Sequence, residues 1–188
     1  LLIMKSTQAI LVILIILVID QWSKFYVKTH FALHDSVEVF SWFKIYFIEN
    51  EGMAWGAKIP GDYGKLILTS FRLLAIVGIG YWLYDVIKKN SSWVLTLSIS
   101  MIFAGALGNI IDSVFYGVYF EHSMGQVAKF LPEGGGYGQW LHGKVVDMFS
   151  FSFFNPVFNV ADTAISTGVG LLILFNKQAF PKAPKASE

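Results

Sequence analysis

Hydrophobic residues are concentrated in four long stretches of the chain, and none of the four has a polar face. These stretches cover approximately residues 4–22, 66–84, 92–111 and 154–175. The last three contain 19 to 22 residues, and a helix needs roughly 20 residues to cross about 30 Å of hydrocarbon. The first ends at Trp22 and is followed by Phe25 and Tyr26, aromatic residues suited to a membrane interface. The pattern predicts four transmembrane helices, with four buried helices of a soluble bundle as the alternative.

The first stretch also has features of a secretory signal peptide, because a lysine precedes an apolar run. The run ends in Ile19, Asp20, Gln21 and Trp22, which contain no cleavage site of small residues. We therefore interpret it as a retained span.

The composition supports a membrane protein and excludes several other classes. Charged residues make up 14% of the chain and hydrophobic residues 55%, whereas a soluble domain has about 25% charged residues. A net charge of +1 and a single arginine argue against nucleic-acid binding. The absence of cysteine excludes disulfides, thiolate metal sites and a cysteine nucleophile. The four histidines have no zinc-binding spacing, so we expect neither a metal nor another cofactor.

Lysines near the ends of the apolar stretches predict the orientation. Positive residues are enriched in short cytoplasmic loops, and both termini are therefore expected in the cytoplasm. The residues concerned are Lys5, Lys88, Lys89, Lys177, Lys182 and Lys185. The first outer loop also holds five lysines, but long loops count less in this rule. We expect residues 1–176 to form one four-span domain and residues 177–188 to form a disordered cytoplasmic tail.

The two loops on the opposite side differ in character. Residues 37–48 are rich in β-branched and aromatic residues, which favour strands. The fold class predicted is therefore an all-α membrane protein with four transmembrane helices and one or two strands in the first outer loop. The second outer segment, residues 115–150, contains the sequence GGGYG at 134–138, which is typical of irregular structure.

Several polar residues lie at the span ends that face this outer side. Ionisable groups inside a membrane are costly, so each is a functional candidate. If the four spans alternate in direction, connectivity alone brings these residues together near the outer leaflet. They are Asp20, Asn109, Asp112, Asn159 and Asp162. Asp147, in the segment that enters the fourth span, belongs to the same side.

Two carboxyl groups that meet at a membrane edge would share one proton near neutral pH. The ionised group could then take a proton from water while the protonated group polarises a carbonyl, as an aspartic protease requires. Position alone does not single out Asp147 and Asp162 from the other aspartates.

Structural roles are also compatible with these positions. Asp20 would then only end a span at the interface. Asn109 and Asn159 would be hydrogen-bonding contacts between helices. Asp112 would form a structural pair with Arg72.

Five short blocks resemble the lipoprotein signal peptidases, also called signal peptidase II. They are DQWSK (20–24), NEGMAWG (50–56), GNIID (108–112), VVDMF (145–149) and FNVADTAI (158–165). The resemblance implies an aspartic peptidase of the bacterial inner membrane with its active site toward the periplasm. It also implies a small extracytoplasmic β-structured cradle in the first outer loop, at about residues 37–58, which fits the strands predicted above. It implies removal of signal peptides from prolipoproteins that carry a diacylglyceryl group on the cysteine after the cut. Inhibition by the lipopeptide globomycin is implied as well, and we expect a monomer surrounded by membrane lipid.

The resemblance also assigns residues. The catalytic aspartates of the family match Asp147 and Asp162, with no metal involved. Other motif positions are expected to shape the site or bind substrate. They are Asp20, Asn50, Gly52, Gly108, Asn109, Asp112, Asn159 and Ala161.

Two features depart from the family pattern. Ser113 stands where the family usually has an arginine, and we hypothesise that Arg72 compensates. Asp112 and Asp147 are 35 residues apart, further than is usual, which marks residues 119–143 as an insertion. This insertion could be a lid over the cleft or a contact for a partner. We favour a tolerated surface insertion.

Two other function classes remain open from the sequence. A proton-coupled transporter would use the carboxylates as a relay, but its polar residues would be spread through the membrane depth rather than gathered at one end. A non-enzymatic lipoprotein-binding membrane protein would use the same groove without needing the carboxylates.

Overall fold

Three helices in the computed structural model are long and apolar enough to cross a membrane. The structure describes residues 3–51 and 63–181. Helices α1 (Ser6–His30) and α2 (Gly64–Lys88) are followed by α3 (Trp93–Ile111), a π-helical turn (Asp112–Tyr116) and α4 (Gly117–Tyr119). Helix α5 (Val160–Leu174) is shorter, and α6 (Asn176–Ala179) follows it. The chain is mostly helical, with three to four apolar helices, as expected for a membrane protein.

Helix α3 packs against α1, α2 and α5. Its contact with α5 is especially close, because a Cβ atom on Gly105 would lie 2.3 Å from the carbonyl oxygen of Ala161. A Cβ atom on Gly168 would lie 2.7 Å from the carbonyl oxygen of Ser98. Small residues of this kind let helix backbones approach each other inside a membrane. The α3–α5 contact therefore sets the position of the first turn of α5.

A small antiparallel sheet lies beside the helices. Its four strands are arranged in chain order: β1 (Ser36–Phe40), β2 (Phe43–Asn50), β3 (Val145–Phe151) and β4 (Phe154–Phe158). Strands β1 and β2 fall where the first outer loop was predicted to form strands, and residues 52–58 of the predicted cradle lie outside the described residues. Strands β3 and β4 come from the second outer segment, so the sheet is larger than the sequence pattern indicated.

The sequence predicted a single helix for the fourth apolar stretch, and this prediction was wrong. Residues 154–158 form strand β4, and the helix begins only at Val160. Phenylalanine and valine favour strands, and the ring of Phe158 stacks on Phe151 of β3 with centroids 5.7 Å apart. Asn159 then ends the strand and caps α5, since its side chain accepts a hydrogen bond from the backbone N–H of Asp162.

The predicted end of the first span and the predicted start of the C-terminal tail also differ from the structure. Helix α1 continues to His30 rather than ending near residue 22, because Lys24 and Lys28 are fully buried and paired within the protein. At the other end, the first residues of the predicted disordered tail belong to α6. Ser92 donates a hydrogen bond to the carbonyl oxygen of Ala179 at 3.1 Å, which holds this turn against α3. Residues 182–188 lie outside the described residues.

Candidate active site

A buried ammonium group lies at the base of the site. Lys24 Nζ is 2.9 Å from Asp20 Oδ2 and 2.9 Å from Asp112 Oδ2, and all three side chains have 0% exposure. Buried charges are tolerated when they are paired and hydrogen-bonded. This ion cluster therefore fixes α1 against the end of α3.

The two carboxylates extend the cluster to other elements. Asp20 Oδ1 accepts a hydrogen bond from the backbone N–H of Ala161 at 2.9 Å, and Asp112 Oδ2 accepts one from Val146 N–H at 3.2 Å. Gly108 makes room for this arrangement, because a Cβ atom there would lie 2.5 Å from Asp20 Oδ2. The cluster thus joins α1 and α3 to the first turn of α5 and to strand β3.

Lys24 also orients the side chain of Asn109. The ammonium group donates to Asn109 Oδ1 at 2.9 Å, and an ammonium group can only donate. The NH₂ group of Asn109 must therefore point the other way, where it donates to Asp162 Oδ1 at 2.8 Å.

Asn159 has a matching role for Asp147. Its Oδ1 caps α5 by accepting from Asp162 N–H at 2.8 Å, so its NH₂ group points toward β3. There it donates to Asp147 Oδ1 at 2.7 Å. Asn50 of β2 donates to the other oxygen of this carboxyl, Asp147 Oδ2, at 3.2 Å. Both oxygens of Asp147 are therefore held by amide groups.

Asp147 and Asp162 line the same cavity, which has a volume of about 640 Å³. Asp147 is 1% exposed. Burial, followed by the nearby charge of Asp162, raises the pKa of Asp147 from 3.8 to about 7, although the hydrogen bonds from Asn50 and Asn159 act in the opposite direction. A carboxyl pair of this kind can hold one proton near neutral pH.

Arg72 reaches the same cavity from α2. Its Nη1 donates to Ser113 Oγ at 3.4 Å, and Ser113 Oγ donates in turn to the carbonyl oxygen of Asn109 at 2.9 Å. Its guanidinium group is also close enough for electrostatic interaction with Asp162, Asp112 and Asp147. Arg72 therefore brings a positive charge to the carboxyl pair from a neighbouring helix.

Most residues singled out from the sequence meet in this one region. These residues are Asp20, Asn50, Gly108, Asn109, Asp112, Asp147, Asn159, Ala161 and Asp162. Gly52 lies outside the described residues. Asp112 forms its ion pair with Lys24, a partner that differs from the arginine considered above.

Two site residues were missed from the sequence. Lys24 stands four positions after Asp20, a spacing that places oppositely charged side chains together on a helix. Gln21 Nε2 donates to Asp20 Oδ2 at 3.0 Å and to Asp112 Oδ1 at 2.9 Å, a role that no local pattern indicates. Among residues 3–51 and 63–181, no group of three or more His, Asp or Glu side chains is arranged to hold a metal ion.

Comparison with known proteins identifies the family. A sequence profile described as Signal peptidase (SPase) II matches residues 12–177. The chain belongs to the signal peptidase II family. The lipoprotein signal peptidase of Porphyromonas gingivalis is 43% identical over 190 residues, which cover 90% of this chain and 82% of the relative. The lipoprotein signal peptidase of Syntrophus aciditrophicus is 34% identical over 164 residues, which cover 85% and 86% of the two chains.

Solved structures agree with the family assignment. One bacterial membrane enzyme, determined by the in meso method at 2.3 Å resolution, matches with a TM-score of 0.69 and 25% identity, and the match covers 100% of both chains. A second, at 1.9 Å resolution, matches with a TM-score of 0.67 and 26% identity over 93% of this chain and 96% of the other. As a signal peptidase II, this chain is a peptidase of the aspartic type.

The raised pKa of Asp147 predicts how the stability of this peptidase depends on pH. Because the pKa of Asp147 is raised from 3.8 to about 7 in the folded state, the folded state loses stability as pH rises from about 4 to about 7, and this loss is complete above pH 7. Asp147→Asn is neutral at every pH and avoids this loss. When the pH is raised from about 5.5 to about 8.5, the Tm of the wild type should therefore fall by several degrees more than the Tm of Asp147→Asn.

Thermal unfolding in detergent at several pH values measures this difference. Glu38→Gln, which removes an exposed carboxylate of β1, is the control and should follow the wild type. If the Tm of Asp147→Asn and the Tm of the wild type change in parallel with pH, the pKa of Asp147 is not raised in the folded state.

Proposed function

We propose that this peptidase removes signal peptides from bacterial prolipoproteins, cutting before a cysteine that carries a diacylglyceryl group. The observation that supports the proposal most is the pair Asp147 and Asp162 in one cavity, with a pKa of about 7 at Asp147. The matched relatives are called lipoprotein signal peptidases, and this name supports the choice of substrate.

The chemistry requires one ionised and one protonated carboxyl group. The ionised carboxylate accepts a proton from a water molecule, whose oxygen attacks the carbon of the scissile carbonyl group. The protonated carboxyl donates its hydrogen bond to the carbonyl oxygen as negative charge develops there. The tetrahedral intermediate then collapses, the C–N bond breaks, and the leaving amine takes a proton from a carboxyl group. Asp147 and Asp162 supply these two groups, in either order.

The walls of the cavity suit an extended lipopeptide. One wall is apolar and is formed by Phe154, Pro156, Val157, Phe158 and Ile165. Strand β4 is an edge strand of the sheet, so the substrate backbone near the cut would lie along it by strand addition. Asn50 and Asn109 face the same cavity and offer hydrogen bonds to that backbone. The signal helix would enter from the side, with the acyl chains remaining in lipid.

We further propose that all four of α1, α2, α3 and α5 span the bacterial inner membrane. Helix α5 has 15 residues, about 22 Å at 1.5 Å per residue, and α6 adds another turn. The termini would be cytoplasmic and the carboxyl pair would face the periplasm, as the lysine distribution predicts. In this arrangement the enzyme acts as a monomer, and globomycin-type lipopeptides inhibit it by occupying the same cavity.

Replacing either aspartate tests the proposed chemistry. Asp147→Asn and Asp162→Asn each remove a group that must exchange a proton, so cleavage should fall by about 10²-fold to 10⁴-fold. The measurement is a gel-shift assay with a diacylated prolipoprotein and purified enzyme in detergent or lipid. The matched control is Asp85→Asn. Asp85 is paired with Lys89 at the opposite end of α2 from the site.

The possible outcomes separate the hypotheses. Near-normal cleavage by either variant would make the assignment wrong and would turn attention to Asp20 or Asp112. A wild-type protein that never cuts a competent substrate would favour the non-enzymatic lipoprotein-binding alternative.

Replacing Arg72 tests whether its charge serves the carboxyl pair. Arg72→Ala removes a positive charge that interacts with Asp162 and Asp147, and a loss of about 1.4 kcal/mol or more in the transition state should lower kcat/KM by about tenfold or more. Arg72→Lys keeps the charge but loses the planar fork, and it should recover part of the activity. Full activity of Arg72→Ala would dispose of the hypothesis that Arg72 compensates for Ser113.

A further inference from the structure

Residues 120–144 form an irregular segment that is attached to the rest of the protein near both of its ends. Leu33 N–H donates to the carbonyl oxygen of Ser123 at 2.8 Å, and Gly143 N–H donates to that of Ser113 at 2.9 Å. Thr69 of α2 donates to the carbonyl oxygen of Leu141 at 2.9 Å. These contacts reach the loop after α1, the π-helical turn and α2. The segment is therefore built into the fold at three separate places.

A cluster of charged side chains joins the two ends of this segment to α1 and the sheet. Glu49 of β2 forms an ion pair with Lys28 of α1 through Oε1, and the same oxygen accepts from Ser123 Oγ at 3.1 Å. Lys28 Nζ also donates to Ser123 Oγ at 2.9 Å. Lys144 Nζ lies 3.5 Å from Glu49 Oε2. We refer to Lys28, Glu49, Ser123 and Lys144 as the Lys28 cluster.

Aromatic rings enclose the ammonium group of this cluster. Lys28 Nζ lies 4.9 Å from the ring centroid of Tyr137 and 5.5 Å from that of Phe120. Both rings belong to the 120–144 segment, and Phe47 of β2 contributes a third at 5.9 Å. Lys28 has 0% exposure. Cation–π contacts strengthen when the cation is desolvated, so the segment itself completes the pocket that holds Lys28.

The Lys28 cluster lies next to the strand that carries Asp147. Glu49 is the register partner of Val146, and Ile48 is the partner of Asp147. The 120–144 segment leads directly into β3, and the backbone N–H of Lys144 donates to the Tyr137 hydroxyl at 2.7 Å. The segment, β2 and β3 are therefore connected within three residues of Asp147.

We propose that residues 120–144 act as a fixed brace that positions Asp147 through the Lys28 cluster. In this role Lys28, Glu49 and Ser123 are positioning residues, and they do not contact the substrate. The inference rests on the function proposed for Asp147. A brace differs from a lid, because a lid would have to break the buried ion pair and open the aromatic pocket in every turnover. It also differs from a tolerated surface insertion, because removal of the segment would expose Lys28 and Glu49.

A disulfide that locks the segment distinguishes a brace from a lid. Ala32 and Val127 form an antiparallel bridge between the loop after α1 and the segment, and paired residues of this kind have Cα atoms about 4.5–5.5 Å apart. This spacing is within the range that a disulfide requires. The chain has no cysteine of its own, so the double variant Ala32→Cys/Val127→Cys can form only this intramolecular bond.

The oxidised double variant should cleave a diacylated prolipoprotein. Its kcat and KM should lie within about twofold of the values for the same sample after reduction. The two single-cysteine variants, treated with the same oxidant, are the controls. Cleavage that is lost on oxidation and restored by reduction would overturn the brace. The reduced sample also tests the proposed function separately, because it must cleave whether or not the segment moves.

Variants of the Lys28 cluster test the positioning role. Misplacement of a reacting group by about 1 Å can cost 10²-fold in rate, so Lys28→Met and Glu49→Gln should lower kcat by about tenfold to hundredfold while KM stays within about twofold. The double variant removes both charges and should recover part of the loss. Unchanged kcat, or a change in KM alone, would overturn the positioning role. If the single variants do not fold, the double variant is compared with the wild type, and a kcat equal to that of the wild type would overturn the positioning role.

Discussion

The buried ammonium group of Lys24 is the constraint on which the rest of the site depends. Asp20 and Asp112 are fully buried carboxylates from α1 and from the turn after α3, and Lys24 lies between them at 2.9 Å from each. Without it, two negative charges would remain out of water, at a cost on the order of several kcal/mol each. Because Lys24 pairs with both, α1, the end of α3, the first turn of α5 and strand β3 can converge on one point.

The same ammonium group determines the direction of the hydrogen bonds above it. It faces the oxygen of Asn109, so the NH₂ group of Asn109 faces Asp162. The cap of α5 orients Asn159 in the same manner toward Asp147. The structure therefore has a closed ionic layer below and a carboxyl pair open to the cavity above. Amide groups separate the two layers, and burial together with the charge of Asp162 raises the pKa of Asp147 to about 7.

The sequence was sufficient for the apolar helices and for much of the site, because span ends and short motifs are local features. Connectivity alone placed Asp20, Asn109 and Asp162 on one side. The start of α5 was wrong by six residues, because a short apolar run suits a helix or a strand equally well, and residues 154–158 pair with β3 as a hairpin. Lys24 was missed for a different reason, since its second partner, Asp112, is 88 residues away. The integration of residues 120–144 was likewise not predictable, because it depends on Lys28 and Glu49 outside that segment.

The dependence of kcat/KM on pH tests the central claim, that Asp147 and Asp162 share one proton, most directly. The wild-type enzyme would be measured on a diacylated prolipoprotein between about pH 5 and pH 9, with Tm recorded at each pH to confirm that the protein is folded. The account predicts a bell-shaped profile, whose alkaline limb falls near pH 7 as the pair loses its proton. If kcat/KM instead stays level or rises up to about pH 9, where both carboxyl groups are ionised, the claim that they share one proton is contradicted.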